Sequence, residues 1–407
     1  MRSKNFISVF FLRGFLLCFP FWSIAQSNEK KTPTQYIVEE NITKNSGFEY
    51  LDSNINETEN FNVWYRRERI FQDLGNIGTA GRSAVFNMQN FNGFKSVFNS
   101  FENYFMQSKD VKYFNTTIPV TELFFAQGSK ELLFLKATHA QNILPRWSVA
   151  LDYQRITSEG FFLRQKTSMY NLQFNTRYFS KNKRYELLAH TIWNFGYAQE
   201  NGGISNDSAF EALTGANKSV NVWLNNSENQ YHQRNLFLKQ YYKFGSPISL
   251  IQKEDTLYDY LTKAQIFHSI RTEENNYVFI NNGDTFNGLF NNPYLSNIPQ
   301  YTYDSTYNGI MENKFGVQLF STSDSILKRF VNFGTTHQAI AVSQSLYTKY
   351  YQNILLHSQL EWTRNKIKSL SFFFNGTYCI NGFNQDDYSV TAKILLRLKP
   401  INIAIEV

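Results

Sequence analysis

The chain has 407 residues, of which 17% are aromatic and only 18% are charged, and its formal net charge is +7. A soluble globular protein normally carries more charge and fewer aromatic rings, and a helical membrane protein shows several runs of about 20 apolar residues, which this sequence lacks beyond its N-terminus. Lysine and arginine are scattered along the chain, so the charge does not favour a nucleic-acid partner. The composition fits a β-barrel with a lipid-facing surface and a polar interior.

The N-terminus has the plan of a secretory signal peptide. Arg2 and Lys4 precede an apolar stretch, and Ser23-Ile24-Ala25 supplies the small residues that a signal peptidase reads. We therefore predict a signal peptide over residues 1–25. Its removal takes away three basic residues, which lowers the formal charge from +7 to +4. Cys379 is then the only cysteine, so no intramolecular disulfide is expected.

The next region changes character at Phe61. Residues 26–60 are rich in Asn, Glu, Lys, Thr and Ser without periodicity, which predicts a mostly flexible periplasmic leader. From Phe61 onward aromatic residues recur every few positions, and we predict the barrel over residues 61–407. Segments 121–128 and 133–139 predict a hairpin around Gly128-Ser129-Lys130, and Pro145 suits the following turn.

Three segments between Trp147 and Tyr197 alternate apolar and polar residues with a period of two. This period predicts strands whose two faces meet different environments. Trp147, Trp193 and Tyr197 are predicted to lie at the membrane interfaces, where amphipathic rings collect. The alternative is ordinary aromatic packing in a soluble β-sandwich. The polar positions predict residues that line a pore: Asp152, Gln154, Asn171, Gln173, Asn175 and Arg177.

Connector lengths give independent support for an up-and-down topology. The long connectors 198–232 and 271–313 are separated by two strands and a shorter connector that contains Pro247, so both fall on the same side of a barrel. Residues 401–407 begin a further alternation that stops at Val407, which predicts a chain that lacks its last strands. The predicted fold is an all-β, antiparallel up-and-down transmembrane β-barrel, incomplete at the C-terminus. Further strands are predicted near 236–244, 262–270, 314–321, 338–346, 355–363, 370–377 and 388–398.

Several local motifs are similar to those of a known family. They are Asp73-Leu74-Gly75-Asn76-Ile77-Gly78, Thr121-Glu122-Leu123 with Ala126-Gln127-Gly128-Ser129-Lys130-Glu131, Ser158-Glu159-Gly160-Phe161 with Arg164-Gln165-Lys166-Thr167, Asn182-Lys183-Arg184-Tyr185 and Glu200-Asn201-Gly202-Gly203. Over about residues 61–204 the chain resembles the putative porin family of Bacteroidetes. One departure is Gly78-Thr79-Ala80, where Gly-Ser-Pro is expected. The resemblance implies an outer-membrane β-barrel longer than this chain, and it carries over no substrate and no catalytic residue.

No residues predict a catalytic, cofactor or metal site. The six histidines are not paired at metal-ligand spacing. His190 could belong to a barrel hydrolase, but no serine nucleophile with an orienting partner is identified. The stretch 75–81 lacks the Gly-Lys-Ser/Thr ending of a phosphate loop and predicts a turn beside the first strands or a periplasmic lid. The pairs Glu254-Asp255 and Asp386-Asp387 predict solvated connector charge.

These features predict a porin-like channel of the cell outer membrane. It would contact outer-membrane lipid and conduct small polar solutes by passive diffusion, without enzymatic activity, and a homo-oligomer is compatible with this interpretation. The mixed charges permit no ion preference. Three alternatives stay open: a binding or adhesion protein that acts through connectors 198–232 and 271–313, a barrel enzyme such as a lipase, and a soluble secreted β-sandwich.

Overall fold

The computed structural model describes residues 34–44, 47–51, 71–85, 92–94, 99–211, 220–252, 255–282, 301–324, 327–344, 347–364, 368–398 and 401–406. The predicted signal peptide and most of the predicted leader lie outside these residues. Within the described residues, no helix combines the length and the apolar character needed to cross a bilayer.

Short elements precede the main sheet, and we call the described residues 34–115 the N-terminal segment. The elements are β1 (Gln35–Ile37), α1 (Glu39–Thr43), β2 (Glu49–Tyr50), β3 (Phe71–Asp73), β4 (Gly81–Ser83), single 3-10 turns at Glu102–Tyr104 and Ser108–Asp110, and β5 (Tyr113–Asn115). Strands β2, β1 and β5 pair in that order, and β3 pairs with β4.

Thirteen antiparallel strands form the main sheet, and each pairs with the next strand in the sequence. The elements are β6 (Val120–Gly128), β7 (Leu132–Leu144), β8 (Trp147–Ser158), β9 (Thr167–Phe179), β10 (Tyr185–Glu200), α2 (Asp207–Glu211) in the next connector, β11 (Ser227–Gln252), β12 (Asp255–Asn282), β13 (Tyr301–Asp324), β14 (Leu327–Gln344), β15 (Tyr347–Arg364), β16 (Lys368–Gly382), β17 (Tyr388–Leu398) and β18 (Ile401–Glu406). This order confirms the predicted all-β, up-and-down antiparallel fold. Among the described residues the edge strands β6 and β18 do not pair with each other. The sheet therefore has the strand order of an up-and-down barrel but is not closed.

The connectors differ between the two ends of the sheet. The turn end carries only short ones, such as 145–146 and 253–254, whereas the loop end carries the two longest, 201–226 and 283–300. The predicted placement of both long connectors on one side is confirmed. Their predicted lengths are too great, because β11, β12 and β13 continue for 26, 28 and 24 residues. Pro247 also lies within β11, opposite Tyr260, and not in a connector.

The two faces of the sheet differ in chemistry. The outer face exposes large apolar side chains along neighbouring strands, for example Leu236, Phe315, Leu319 and Phe333. The inner face is the one that the N-terminal segment contacts. Leu188, Ile192, Tyr241 and Phe267 on this face form a buried apolar cluster with side chains from the segment: Ile37, Ile42, Met106, Val111 and Tyr113.

Two boundaries differ from the sequence-based prediction. The main sheet begins at Val120 and not at Phe61. Residues 34–44 and 47–51 fall within the predicted flexible leader, yet they form β1, α1 and β2. The physical reason is that Ile37 and Ile42 are buried against the inner face, which offsets the entropy cost of ordering these short elements.

Candidate functional site: the inner face and the N-terminal segment

All six predicted pore-lining residues lie on the inner face of β8 and β9. The carbonyl oxygen of Tyr104, in the N-terminal segment, accepts hydrogen bonds from Asn171 Nδ2 at 2.8 Å and Gln154 Nε2 at 3.4 Å. Asp152 accepts hydrogen bonds from Thr138 Oγ1 at 2.6 Å and from Gln173 Nε2 at 2.7 Å. The segment therefore occupies much of the space that these residues are predicted to line. Five of the six are buried: Gln154, Asn171, Gln173, Asn175 and Arg177.

At the loop end, the turn between β3 and β4 attaches the segment to the β8–β9 connector. Asn76 is buried, and its amide donates to the carbonyl of Gln165 at 2.6 Å and accepts from Ser158 Oγ at 2.7 Å. Gly78 has a φ of +85°, and a Cβ there would lie 2.9 Å from Thr167, so glycine is required. The stretch is a turn, as predicted, and it lies at the loop end, opposite to the end where a periplasmic lid is predicted.

In the middle of the sheet, aromatic rings and one amide hold the segment. Phe105 is 1% exposed and stacks on Tyr231 of β11 with ring centroids 5.1 Å apart. Asn194 of β10 donates to the carbonyl of Met106 at 2.9 Å and accepts from the Met106 N–H at 3.1 Å. This amide satisfies both backbone groups of a buried residue, which would otherwise cost free energy.

His190, the residue considered for a hydrolase, lies between two residues of the segment. Its Nε2 is 2.7 Å from Ser108 Oγ, and its Nδ1 is 2.7 Å from the Tyr113 hydroxyl. A serine–histidine contact therefore exists, but the second ring nitrogen contacts a phenol and not a carboxylate. The ring is also buried and stacks on Phe237 at 4.8 Å. These contacts hold the segment against the inner face at His190.

Toward the turn end, α1 contacts the inner face through a carboxylate. Glu39 Oε1 accepts hydrogen bonds from Lys239 Nζ, from the Tyr241 hydroxyl at 3.2 Å and from Thr43 Oγ1 at 2.7 Å. The Lys239 side chain is 8% exposed, whereas that of Glu39 is 32% exposed. The carbonyl of Ile42 also accepts a hydrogen bond from Gln265 Nε2 at 3.4 Å. The contact combines one partly open ion pair with neutral hydrogen bonds.

The Glu39 contact fixes the carboxylate in its charged form. Burial alone raises the pKa of a carboxyl group, but the charge of Lys239 and hydrogen bonds from Lys239 and Thr43 outweigh it and hold the pKa of Glu39 at about 2. A group with a depressed pKa stabilises the folded contact above its ordinary pKa of 4.5 and loses that contribution as the pH falls toward 2. The attachment of α1 therefore persists at neutral pH and weakens in acid.

Further polar contacts extend the segment across the later strands. Lys44 Nζ lies 2.8 Å from Glu361 of β15 and 2.7 Å from Glu40. The backbone N–H of Phe94 donates to Gln338 Oε1 of β14 at 3.2 Å. The segment thus contacts the inner face from β7 to β15.

A charged triad lies on the inner face near the turn end. Glu186 of β10 accepts hydrogen bonds from Arg177 Nε at 2.8 Å and from Lys243 Nζ at 2.6 Å. The Arg177 guanidinium carbon lies 4.9 Å from the centroid of the Phe48 ring, which belongs to the segment. Arg177, a predicted pore-lining residue, is therefore paired and covered.

A polar cavity of about 310 Å³ remains between the segment and β6–β9. This volume lies in the range of small-ligand sites. Partial burial and the nearby charge of Lys136 lower the pKa of Lys112, whose Nζ lies 4.4 Å from the centroid of the Tyr36 ring. The segment does not fill the interior completely. The charged residues of the lining are Asp110, Lys112, Glu122, Lys136 and Asp152.

The predicted interface aromatics lie on the outer face at different heights. Strand register places Trp147, next to the turn end, level with Leu187. Trp193 and Tyr197 lie further along β10, about 20 Å and about 33 Å toward the loop end at about 3.3 Å per residue. Strands of outer-membrane barrels are tilted by about 35–45°, so the separations across the membrane are shorter than these distances along the strand. Their interfacial role stays a prediction.

The acidic pairs and the cysteine considered in the sequence analysis lie in the following places. Asp386 and Asp387 lie in the β16–β17 connector, where the Tyr378 hydroxyl donates to Asp386 at 2.8 Å. Glu254 lies outside the described residues. Cys379 is a buried free thiol. Within the part of the chain that the structure describes, no three His, Cys, Asp or Glu side chains are grouped to hold a metal ion.

Sequence reasoning missed the residues of the segment that occupy the inner face. A usable signal is the composition of residues 101–113, which contain Phe101, Tyr104, Phe105 and Tyr113 without the period of two that marks a strand. Apolar residues without strand periodicity indicate burial by distant parts of the chain. Asn76 was noticed only as part of a family motif, and its partners lie about 80 to 90 residues away in the sequence.

The comparisons agree with this architecture. The model of the family described as "Putative porin" matches residues 36–407, which extends well beyond the stretch 61–204 that carries the local resemblance. Neither a curated protein nor a solved structure matches the chain. The match spans the N-terminal segment from Tyr36 as well as the whole sheet. The chain therefore belongs to the putative porin family.

Proposed function

We propose that the protein is an outer-membrane channel for the passive diffusion of small polar solutes, and that its own N-terminal segment restricts the passage. The observation that carries this proposal is the difference between the two faces of the same strands. The outer face exposes Leu236, Phe315 and Phe333, whereas inner positions of the neighbouring strands carry Lys239, Ser269 and Lys314. An apolar exterior around a polar interior is the requirement for a water-filled barrel in lipid.

The N-terminal segment determines how solutes would pass. It contacts the inner face from the Asn76 turn at the loop end to Lys44 near the turn end. Passage then uses polar space such as the cavity beside Asp152, or it follows local displacement of the segment. The six predicted pore-lining residues would line the wider passage once the segment withdraws.

Solute entry into proteoliposomes tests this function. We expect the full chain to admit glucose but not a large dextran, compared with liposomes that contain heat-unfolded protein. The variant Phe105→Ala, which loses a buried contact of the segment, should admit glucose faster. No glucose entry with either the wild type or this variant would exclude the channel function.

The adhesion alternative depends on the long connectors, of which 212–219 and 283–300 lie outside the described residues. It stays a prediction, and it predicts partner binding without solute entry. The channel proposal includes no catalytic step, and the outer-membrane location belongs to the proposal. Cell fractionation that found the protein outside the outer membrane would contradict it.

A further inference from the structure

The inner face near α1 carries two lysines at one level of the sheet. Lys239 of β11 is opposite Ser269 of β12, and Ser269 is opposite Lys314 of β13. The two lysines therefore lie two strands apart, about 10 Å between their backbones. Both point to the side that the N-terminal segment contacts.

One of these lysines already holds a carboxylate. Glu39 of the segment accepts hydrogen bonds from Lys239 and from the Tyr241 hydroxyl. The Lys239 ammonium lies 4.5 Å from the centroid of the Phe267 ring, which adds a cation–π contact on its other side. The inner face at this level is therefore able to bind a carboxylate.

The second lysine has no ion-pair partner within 4.0 Å among the described residues. Lys314 is partly buried, and its cross-strand neighbours Ser269 and Thr336 are uncharged. An ammonium group in such a place is costly unless an anion or water accompanies it. The charges of Glu39 and Glu312 also act on Lys314, but Glu39 pairs with Lys239 and Glu312 pairs with Arg271, so neither carboxylate forms an ion pair with Lys314.

Two buried side chains on the same inner face as Lys314 carry polar atoms without partners. His357 of β15 is 8% exposed, and neither ring nitrogen has a hydrogen-bond partner among the described residues. Gln318 lies two inner-face positions along β13 from Lys314. It is fully buried, and its Nε2 has no hydrogen-bond partner among the described residues. Unsatisfied buried donors are rare in folded proteins and indicate a missing polar ligand or water. Both groups can donate to an oxygen atom.

Two glycines shape the floor between these groups. Gly316 and Gly334 are opposite each other in the register of β13 and β14, next to Lys314 along the inner face. A Cβ at Gly316 would lie 2.7 Å from the Phe267 ring, and one at Gly334 would lie 2.5 Å from the His357 ring. The glycines allow these rings to lie against the sheet beside Lys314.

We infer that the inner face holds an anion-binding site at Lys314 and His357, next to the Glu39–Lys239 pair, and that it takes small carboxylates. The inference rests on the proposed channel function and names its solute class. Glu39 competes for the same positive patch, because its carboxylate is the anion that Lys239 binds in this structure. Withdrawal of α1 extends the site to Lys239, and a passage with two adjacent lysines favours anionic solutes.

Titration calorimetry of the full chain in detergent micelles tests the site, with succinate as the probe and its neutral diamide as the control ligand. We expect succinate to bind and the diamide not to bind. Glu39→Ala removes the competing carboxylate and should tighten succinate binding about tenfold, whereas Glu40→Ala, next to it on α1 and exposed, should not change it.

The decisive variant is Lys314→Gln in the Glu39→Ala background. We expect it to weaken succinate binding by about tenfold or more, because it removes one charge-assisted hydrogen bond. Lys181→Gln, the same charge change in an exposed turn, is the matched control. If Lys314→Gln does not fold, Lys314→Arg should retain binding, because the charge is kept.

The outcomes separate this inference from the channel function. Absence of saturable succinate binding to Glu39→Ala, or binding that Lys314→Gln leaves unchanged, overturns the anion site. Succinate binding without any glucose entry into proteoliposomes contradicts the channel function and leaves the site intact. Glucose entry without succinate binding supports the channel function and overturns the anion site.

Discussion

Two parts of the N-terminal segment contact the same inner face by different chemistry. Residues 101–113 bury aromatic rings such as Phe105 and pair the backbone of Met106 with a strand amide. Helix α1 relies on a carboxylate, Glu39, whose side chain keeps a third of its exposure. The first contact is apolar and is supplemented by neutral hydrogen bonds. The second combines the burial of Ile42 with an ion pair that is partly open to the interior.

This difference indicates which part of the segment is exchangeable. Apolar burial and neutral hydrogen bonds depend little on pH or salt, whereas a partly exposed ion pair depends on both. We therefore expect residues 101–113 to act as the permanent anchor. Helix α1 is the part that acid, salt or a competing anion releases first.

The largest effect is expected from Phe105→Ala. The ring is 1% exposed, and loss of a buried phenylalanine costs about 3–5 kcal/mol. Limited proteolysis should cut residues 99–115 far faster in the variant than in the wild type. Phe161→Ala removes an exposed ring and is the control. Equal cleavage of all three proteins would show that the aromatic contact does not anchor the segment.

A smaller effect is expected from Asn194→Ala. The change leaves the N–H and the carbonyl of Met106 buried without their partner, at a cost of about 1–3 kcal/mol. Hydrogen exchange of the Met106 amide measures it directly. Asn276→Ala, at an exposed position of β12, should leave that exchange unchanged. An unchanged rate in Asn194→Ala would contradict the anchoring role.

The pH dependence of α1 tests the ionic part. Because the pKa of Glu39 is held at about 2, wild-type α1 should stay attached above pH 4.5 and become progressively released as the pH falls toward 2. Hydrogen exchange of α1 amides, corrected for its intrinsic pH dependence, follows this release. Glu39→Gln should abolish the transition and Glu40→Gln should keep it. A transition that survives Glu39→Gln must belong to another group.

The smallest effect is expected from Lys44→Gln. Its ion pairs with Glu40 and Glu361 are partly exposed, so their loss should cost about 1 kcal/mol or less. Molar sodium chloride should reproduce most of this effect in the wild type, since salt screens such pairs. A loss as large as that of Phe105→Ala would overturn the ranking of the two contacts. Exchange of α1 amides is again the measurement.

The main sheet was predictable because its signal is local. Residues 388–398 alternate with Leu395 as the one exception, and β17 has these bounds. Some predicted strands end too early, because the real strand continues beyond its last apolar outer residue. Residues 271–282 of β12 are an example. There Thr272, Glu274 and Asn276 replace the apolar outer residues, so the alternation disappears while the backbone pairing continues. The alternation of apolar and polar residues reports the environment of each strand face, but it does not show where the backbone hydrogen bonding of the strand ends.

The sequence by itself determined the strand order, the two faces and the side of the long connectors, since each follows from residues adjacent in the chain. Tertiary structure alone decided that the polar inner face is occupied. Glu39 meets Lys239 and Asn76 meets Gln165 across long stretches of sequence, and nothing local predicts which partner a short element finds. The same alternation that predicts a pore lining at Asn171 and Asn175 therefore describes, in the folded chain, a surface that the N-terminal segment covers.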